Sequence, residues 1–112
     1  MSFDANLLLP FLSPEPNSRE RVGFVMQDTF EIVEVENVCH DPINGFEVSG
    51  ADLVEHGDRA YATWHTHPGQ SSNLTFGDHS SFLNYPHLVH YIVGTDGVTA
   101  YQVENGRVLI AP

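Results

Sequence analysis

Residues 3–12, FDANLLLPFL, are apolar enough to form a short docking helix. Pro10 limits it, because a proline inside a helix lacks the N–H and crowds the preceding turn. Ser13 to Ser18 is a connector rich in turn residues. Val22–Met26 is a nearly unbroken apolar run of strand length, the mark of a buried strand. Gln27-Asp28 fits a hairpin turn. From Phe30 to Val38, Ile32, Val33, Val35 and Val38 are interleaved with Glu31, Glu34 and Glu36, which predicts a strand with one wet face. Asp41 to Gly45 is turn chemistry, and Phe46–Val48 reads as a short strand. Ser49 caps a helix over about 50–56 that Gly57 ends. Ala60–His67 alternates as a central strand, and Pro68–Asn73 is a loop. Gly77 to about Tyr85 reads as a helix stopped by Pro86. Leu88–Val93, Val98–Val103 and Arg107–Ile110 are three closing strands, separated by turns at Thr95-Asp96-Gly97 and Asn105-Gly106. The pattern predicts a mixed α/β domain of about six strands and two or three helices.

The chain has 112 residues, which allows one domain spanning residues 1–112. Four basic residues, all arginine, stand against fifteen acidic ones, for a formal net charge of −11. Such a surface repels phosphate backbones and anionic headgroups, so neither nucleic acid nor a membrane surface is expected as a partner. The 11% of aromatic residues, with abundant Val and Ile, is the composition of a folded chain. Cys39 is the one cysteine, which excludes an intramolecular disulfide and a multi-cysteine zinc site. No stretch approaches the ~20 apolar residues of a membrane span. Leu7-Leu8-Leu9 lacks a basic leader and follows Asp4, so it does not read as a signal peptide, and a cytoplasmic location is expected.

Seven histidines remain for composition to explain. His65-Thr66-His67 closes the Ala60 strand. Residues i and i+2 of a strand share a face, about 6.6 Å apart at ~3.3 Å per residue. Two imidazoles so placed can tilt onto one metal ion, or be two unrelated histidines at a loop edge. Asp78 follows across a loop long enough to turn back. If Thr75 caps the next helix, Asp78 falls in its first turn, where backbone amides and the positive helix end keep a carboxylate ionised. Thr75-Phe76-Gly77-Asp78 matches a capping box, which needs no metal, yet the same cap can aim a ligand. Two neutral imidazoles and one carboxylate leave a fourth position open, the layout of a catalytic zinc.

His65-Thr66-His67-Pro68, the loop to Leu74, Thr75 and then Asp78 resemble the signature of the JAMM metallopeptidases: His-x-His, seven residues, Ser, two residues, Asp, with a Glu far upstream. Ser18-Arg19-Glu20-Arg21-Val22-Gly23-Phe24 resembles the upstream segment of that family. Asn37 to Phe46, with Asp41-Pro42 and Asn44, resembles its small phage-tail branch, similar to the phage tail assembly protein K type. The resemblance spans about residues 17–93. It implies an α/β JAMM/MPN fold related to the cytidine deaminases. It implies one Zn²⁺ per chain held by His65, His67 and Asp78, with water as fourth ligand. Glu20 is then the general base, and the Thr75 hydroxyl helps to stabilise the oxyanion. The implied activity is hydrolysis of a peptide or isopeptide bond, with phage tail proteins as partners, in the host cytoplasm or the virion tail.

Two departures from that pattern matter. Position 75 is Thr where the family usually has Ser, and the β-methyl narrows its rotamer choice. Only 34 residues follow Asp78, which leaves little room for the clamping insertions of eukaryotic deubiquitinases or for a following cysteine peptidase domain. The expectation is a stand-alone domain. Two other functions fit the same residues: a structural tail-tip component that keeps the fold, and a bacterial deubiquitinase-like enzyme. Of the remaining candidates, Cys39 and His40 point to opposite faces and make a poor dyad. His79 neighbours a ligand, His87 and His90 flank or line a strand, and Trp64 alternates away from His65 into the core.

Overall fold

The structure is a computed structural model that describes residues 2–111. Its frame is a six-stranded sheet: β1 (Val22–Met26), β2 (Ile32–Val35), β3 (Ala60–Thr66), β4 (Val89–Gly94), β5 (Gly97–Glu104) and β6 (Arg107–Ile110), in the order β2-β1-β3-β4-β5-β6. Only β3 and β4 run parallel; the other neighbours are antiparallel. Parallel neighbours need a crossover, and α2 (Phe76–Asn84) supplies it. The expected mixed α/β domain of six strands is therefore present. Three helical segments accompany the sheet: an N-terminal 3-10 helix (Ala5–Phe11), α1 (Gly50–His56) running into a 3-10 turn (Gly57–Arg59), and α2. Among the described residues no helix is long and apolar enough to cross a membrane.

Strand periodicity sorts the core into two layers. Ala62 and Trp64 of β3 join Val25, Tyr91 and Val93 on one face, which the N-terminal segment covers with Phe3, just before the 3-10 helix, and Leu8, within it. Trp64 is buried there, as the alternation predicts. On the opposite face Phe24, Met26 and Leu88 pack with Leu53 of α1, and Phe82 of α2 packs with Ile92 and Tyr101. His65 belongs to this second face. Gly23 is needed between its neighbouring strands: a Cβ there would lie 2.0 Å from the Val33 carbonyl oxygen of β2 and 2.8 Å from the Trp64 ring of β3.

Two expected elements differ. The strand expected over Phe30–Val38 is confined to Ile32–Val35. Phe30 adopts φ 58°, the left-handed region, and so belongs to the turn. Beyond Val35 the buried Asn37 side chain takes over the hydrogen bonding, donating to the carbonyls of Glu20 and Gly45 and accepting from the amides of Cys39 and Glu47. For the same reason Phe46–Val48 is not a strand: its backbone is tied to Asn37 and Val38 rather than to the sheet. The Ser49 cap on Asp52 N–H and the Asn105-Gly106 hairpin, with φ 53° and 75°, follow the sequence reading.

Candidate metal centre

The carboxyl end of β3 delivers two histidines on one face. His65 is within the strand, and His67 lies just past it, its amide bonded to the Val93 carbonyl at 2.8 Å. Loop 68–73 then folds onto the end of β4. Gly94 permits this approach, since a Cβ there would meet Ser71 and Ser72 backbone atoms at 2.4 Å. Asp96 accepts from Ser72 N–H, Tyr101 O–H donates to the Ser72 carbonyl, and Thr95 N–H donates to the Gln70 carbonyl. So held, the Ser71 carbonyl lies 2.9 Å from His67 Nδ1. A carbonyl only accepts, so Nδ1 carries the proton and neutral His67 turns a bare Nε2 lone pair inward.

The chain next enters α2 through a capping box with both bonds formed. Thr75 Oγ1 accepts from Asp78 N–H at 3.2 Å, and Asp78 Oδ2 accepts from Thr75 N–H at 3.0 Å. The cap aims the Asp78 carboxylate back at the histidines. His65 Nε2 lies 3.1 Å from Asp78 Oδ1, His67 Nε2 lies 3.2 Å from Oδ2, and the two Nε2 atoms are 3.1 Å apart. The paired imidazoles thus face one carboxylate, each meeting a different oxygen of it, at separations close to the ~3.3–3.4 Å between ligands on a tetrahedral zinc-sized ion. Two imidazoles and a carboxylate are also the chemical donors such an ion takes. The residues fit a bound metal. Ligand atoms of Glu20, His65 and His67 all lie within 4.8 Å of one another, a group able to hold a metal ion, so the structure brings Glu20 as well as the expected Asp78 to the histidine pair.

Glu20 precedes β1 and is fixed by its backbone. Its N–H donates to the Pro42 carbonyl at 2.7 Å, and its carbonyl accepts from Asn37 Nδ2 at 2.8 Å. Beside it Arg21 and Thr66 exchange two hydrogen bonds of 2.9 Å, which join this segment to the end of β3. Burial pushes the Glu20 carboxyl up to about 7; His67 acts in the opposite sense, while Asp78 and Asp41 add to the rise. Burial also acts to raise Asp78, but the facing His65 and His67 rings, which can bond and attract it when protonated at Nε2, and the Thr75 N–H outweigh it and hold this carboxyl well below the usual carboxylate range. His65 is lowered by complete burial. For His67, burial opposes the charged form, yet a ring protonated at both nitrogens would bond Asp78 and Ser71 together, which raises it on balance. The two carboxylates thus differ in character: Asp78 is a fixed anion, and Glu20 can exchange a proton near neutrality.

The five residues singled out in the sequence therefore converge, with Thr75 acting through the Asp78 cap. His79 and His87 are exposed and stand apart. His90 is buried on the same face, between Thr63 Oγ1 and the Tyr85 carbonyl, with its ring stacked on Phe82 at 4.3 Å. Sequence reasoning missed two participants. Phe46 packs its ring on His65 at 4.3 Å between centroids, and Asn37 clamps the Glu20 backbone. An asparagine among the glutamates and valines of an apparent strand was the one visible signal. Neither a protein-family profile nor a curated protein matches the chain.

Proposed function

We propose that this chain is a zinc-dependent hydrolase of amide bonds, a peptidase or isopeptidase of the JAMM type with a cytidine deaminase-like sheet. His65, His67 and Asp78 would hold the metal, one per chain. Bound zinc would supply Lewis acidity, lowering the pKa of a water molecule and polarising the substrate carbonyl. Glu20 takes a proton from the attacking water as its oxygen joins the acyl carbon. Glu20 then returns that proton to the amine nitrogen as the C–N bond breaks, so one water is consumed and a carboxylic acid and an amine are released, which at neutral pH become a carboxylate and an ammonium. The Thr75 hydroxyl accepts from Asp78 N–H and keeps its own O–H to donate towards the developing oxyanion. The acidic surface suits a neutral or basic polypeptide substrate. The phage-tail setting belongs to the same proposal, supported by the resemblance of residues 37–46 that brace Glu20.

One observation carries this reading: two buried carboxyl groups, Glu20 and Asp78, meet the same pair of buried histidines, and burial raises Glu20 while Asp78 is held low. A metal site that only braces a tail component has no use for such a base. The test substitutes Glu20→Gln in zinc-loaded protein and follows cleavage of a pool of unstructured peptides by mass spectrometry. Turnover is expected to fall roughly 10²–10⁴-fold with zinc content unchanged. Equal turnover by the glutamine variant would contradict the assignment.

A further inference from the structure

On the face that carries His65, the sheet leads into an open groove of about 450 Å³ between α1 and α2. Thr63 lines it and stands two residues before His65 on β3, on the same face, so the groove begins one side chain away from the metal donors. Phe46 and Phe82 line it too, and both rings also pack against His65, at 4.3 and 6.3 Å between centroids. Leu53 and Leu88 carry the apolar lining towards Ala60, at the other end of the strand. The volume falls within the ~300–1,000 Å³ typical of ligand pockets. Val48 and Leu53 are only partly buried, so their apolar surface is not used up by the fold.

The formal charges of the lining are acidic, with His87 and His90 as its other titratable side chains beside Tyr85. Glu47 and Asp58 are both exposed, and no Lys or Arg lines the groove. An apolar slot with an acidic rim selects an apolar side chain that has a cation next to it.

We propose that this groove is the specificity pocket of the enzyme, taking an aromatic or branched apolar side chain of a peptide substrate whose neighbouring residue is Arg or Lys. The assignment rests on the amide-hydrolase reading above, because it is that reaction which gives a peptide reason to lie here. Phe46 is then a specificity residue: its ring serves the groove on one side and packs His65 on the other.

The test measures binding without turnover. Zinc-loaded, ¹⁵N-labelled Glu20→Gln protein is titrated by NMR with acetyl-Gly-Gly-Phe-Arg-amide and with versions in which Phe is replaced by Gly or Arg by Glu. The Phe-Arg peptide should shift the amides of Val48, Leu53 and Leu88. The Gly version should bind roughly tenfold or more weakly, the scale of one buried aromatic side chain. The Glu version should also bind more weakly, and added salt should narrow that difference. Leu53→Trp, which fills the groove, should lose the Phe preference while binding zinc as before. Equal binding of the Phe and Gly peptides, or shifts confined to surfaces outside the groove, would overturn the proposal. If the Phe-Arg peptide occupies the groove but the parent enzyme cleaves no peptide, the groove assignment is supported and the hydrolase reading is the one that fails.

Discussion

Glu20 and His90 are both buried ionisable side chains, and in both the cost of burying a charge sets the titration. It raises the acid to about 7 and lowers the base to about 4. His90 stays neutral in the fold, where Nε2–H can donate to the Tyr85 carbonyl and Nδ1 can accept from the Thr63 hydroxyl. An unfolded histidine protonates near 6.5, so between pH 6.5 and 4 the unfolded chain binds the extra proton. Stability is therefore fully present above pH 6.5 and is lost as pH falls towards 4. Over that window His90 should remove about 3 kcal/mol. Denaturant unfolding as a function of pH checks this: His90→Asn should flatten the acid side of the curve, and an unchanged slope would mean the ring is not the group that titrates. His65 is lowered for the same reason and acts in the same direction, while the raised Glu20 and His67 act in the opposite one, so the effect of His90 is read from the difference between variant and wild type.

At the scale of elements, the site depends on two chain segments held where they would not rest alone. One is loop 68–73, seated on Gly94 and bonded to Asp96 and Tyr101. Gly94→Ala should push this loop outward and draw the Ser71 carbonyl away from His67 Nδ1. Losing the group that orients a ligating histidine typically weakens metal binding 10–100-fold, so competition against a zinc-sensitive dye should show that loss with the sheet's circular dichroism intact. Unchanged zinc affinity would show that Ser71 does not orient the ring. The other segment is 36–48, folded around Asn37. The contrast between the two explains what the sequence made legible. His65 and His67 follow from the two-residue strand period, and Asp78 from the capping box, because those rules act over a few residues. The strand expected over Phe30–Val38 was too long because a left-handed Phe30 and a side chain bonding at long range, Asn37, end it at both sides. Glu20 lies outside any periodic element, and only the resemblance of its flanks marked it. The packing of Phe46 on His65 joins positions that no local pattern connects.

For the whole molecule, the proposed function joins β3 and α2 through one metal ion held by His65, His67 and Asp78, and gives Glu20, which lies within reach of the same histidines, the role of base instead of ligand. Binding that favours the folded state stabilises it by about 2.7 kcal/mol when free metal is a hundredfold above the dissociation constant. Zinc should therefore raise the melting temperature of the wild type and leave that of His67→Ala unchanged. The most direct measurement is the zinc content per chain after chelator treatment, reloading with zinc and gel filtration, in wild type, Glu20→Gln, His67→Ala and Asp78→Asn. One zinc in the wild type and in Glu20→Gln, with little retained by the His67 and Asp78 variants, is the predicted result. No retained zinc in the wild type, or its loss in Glu20→Gln with full retention in Asp78→Asn, would contradict the account.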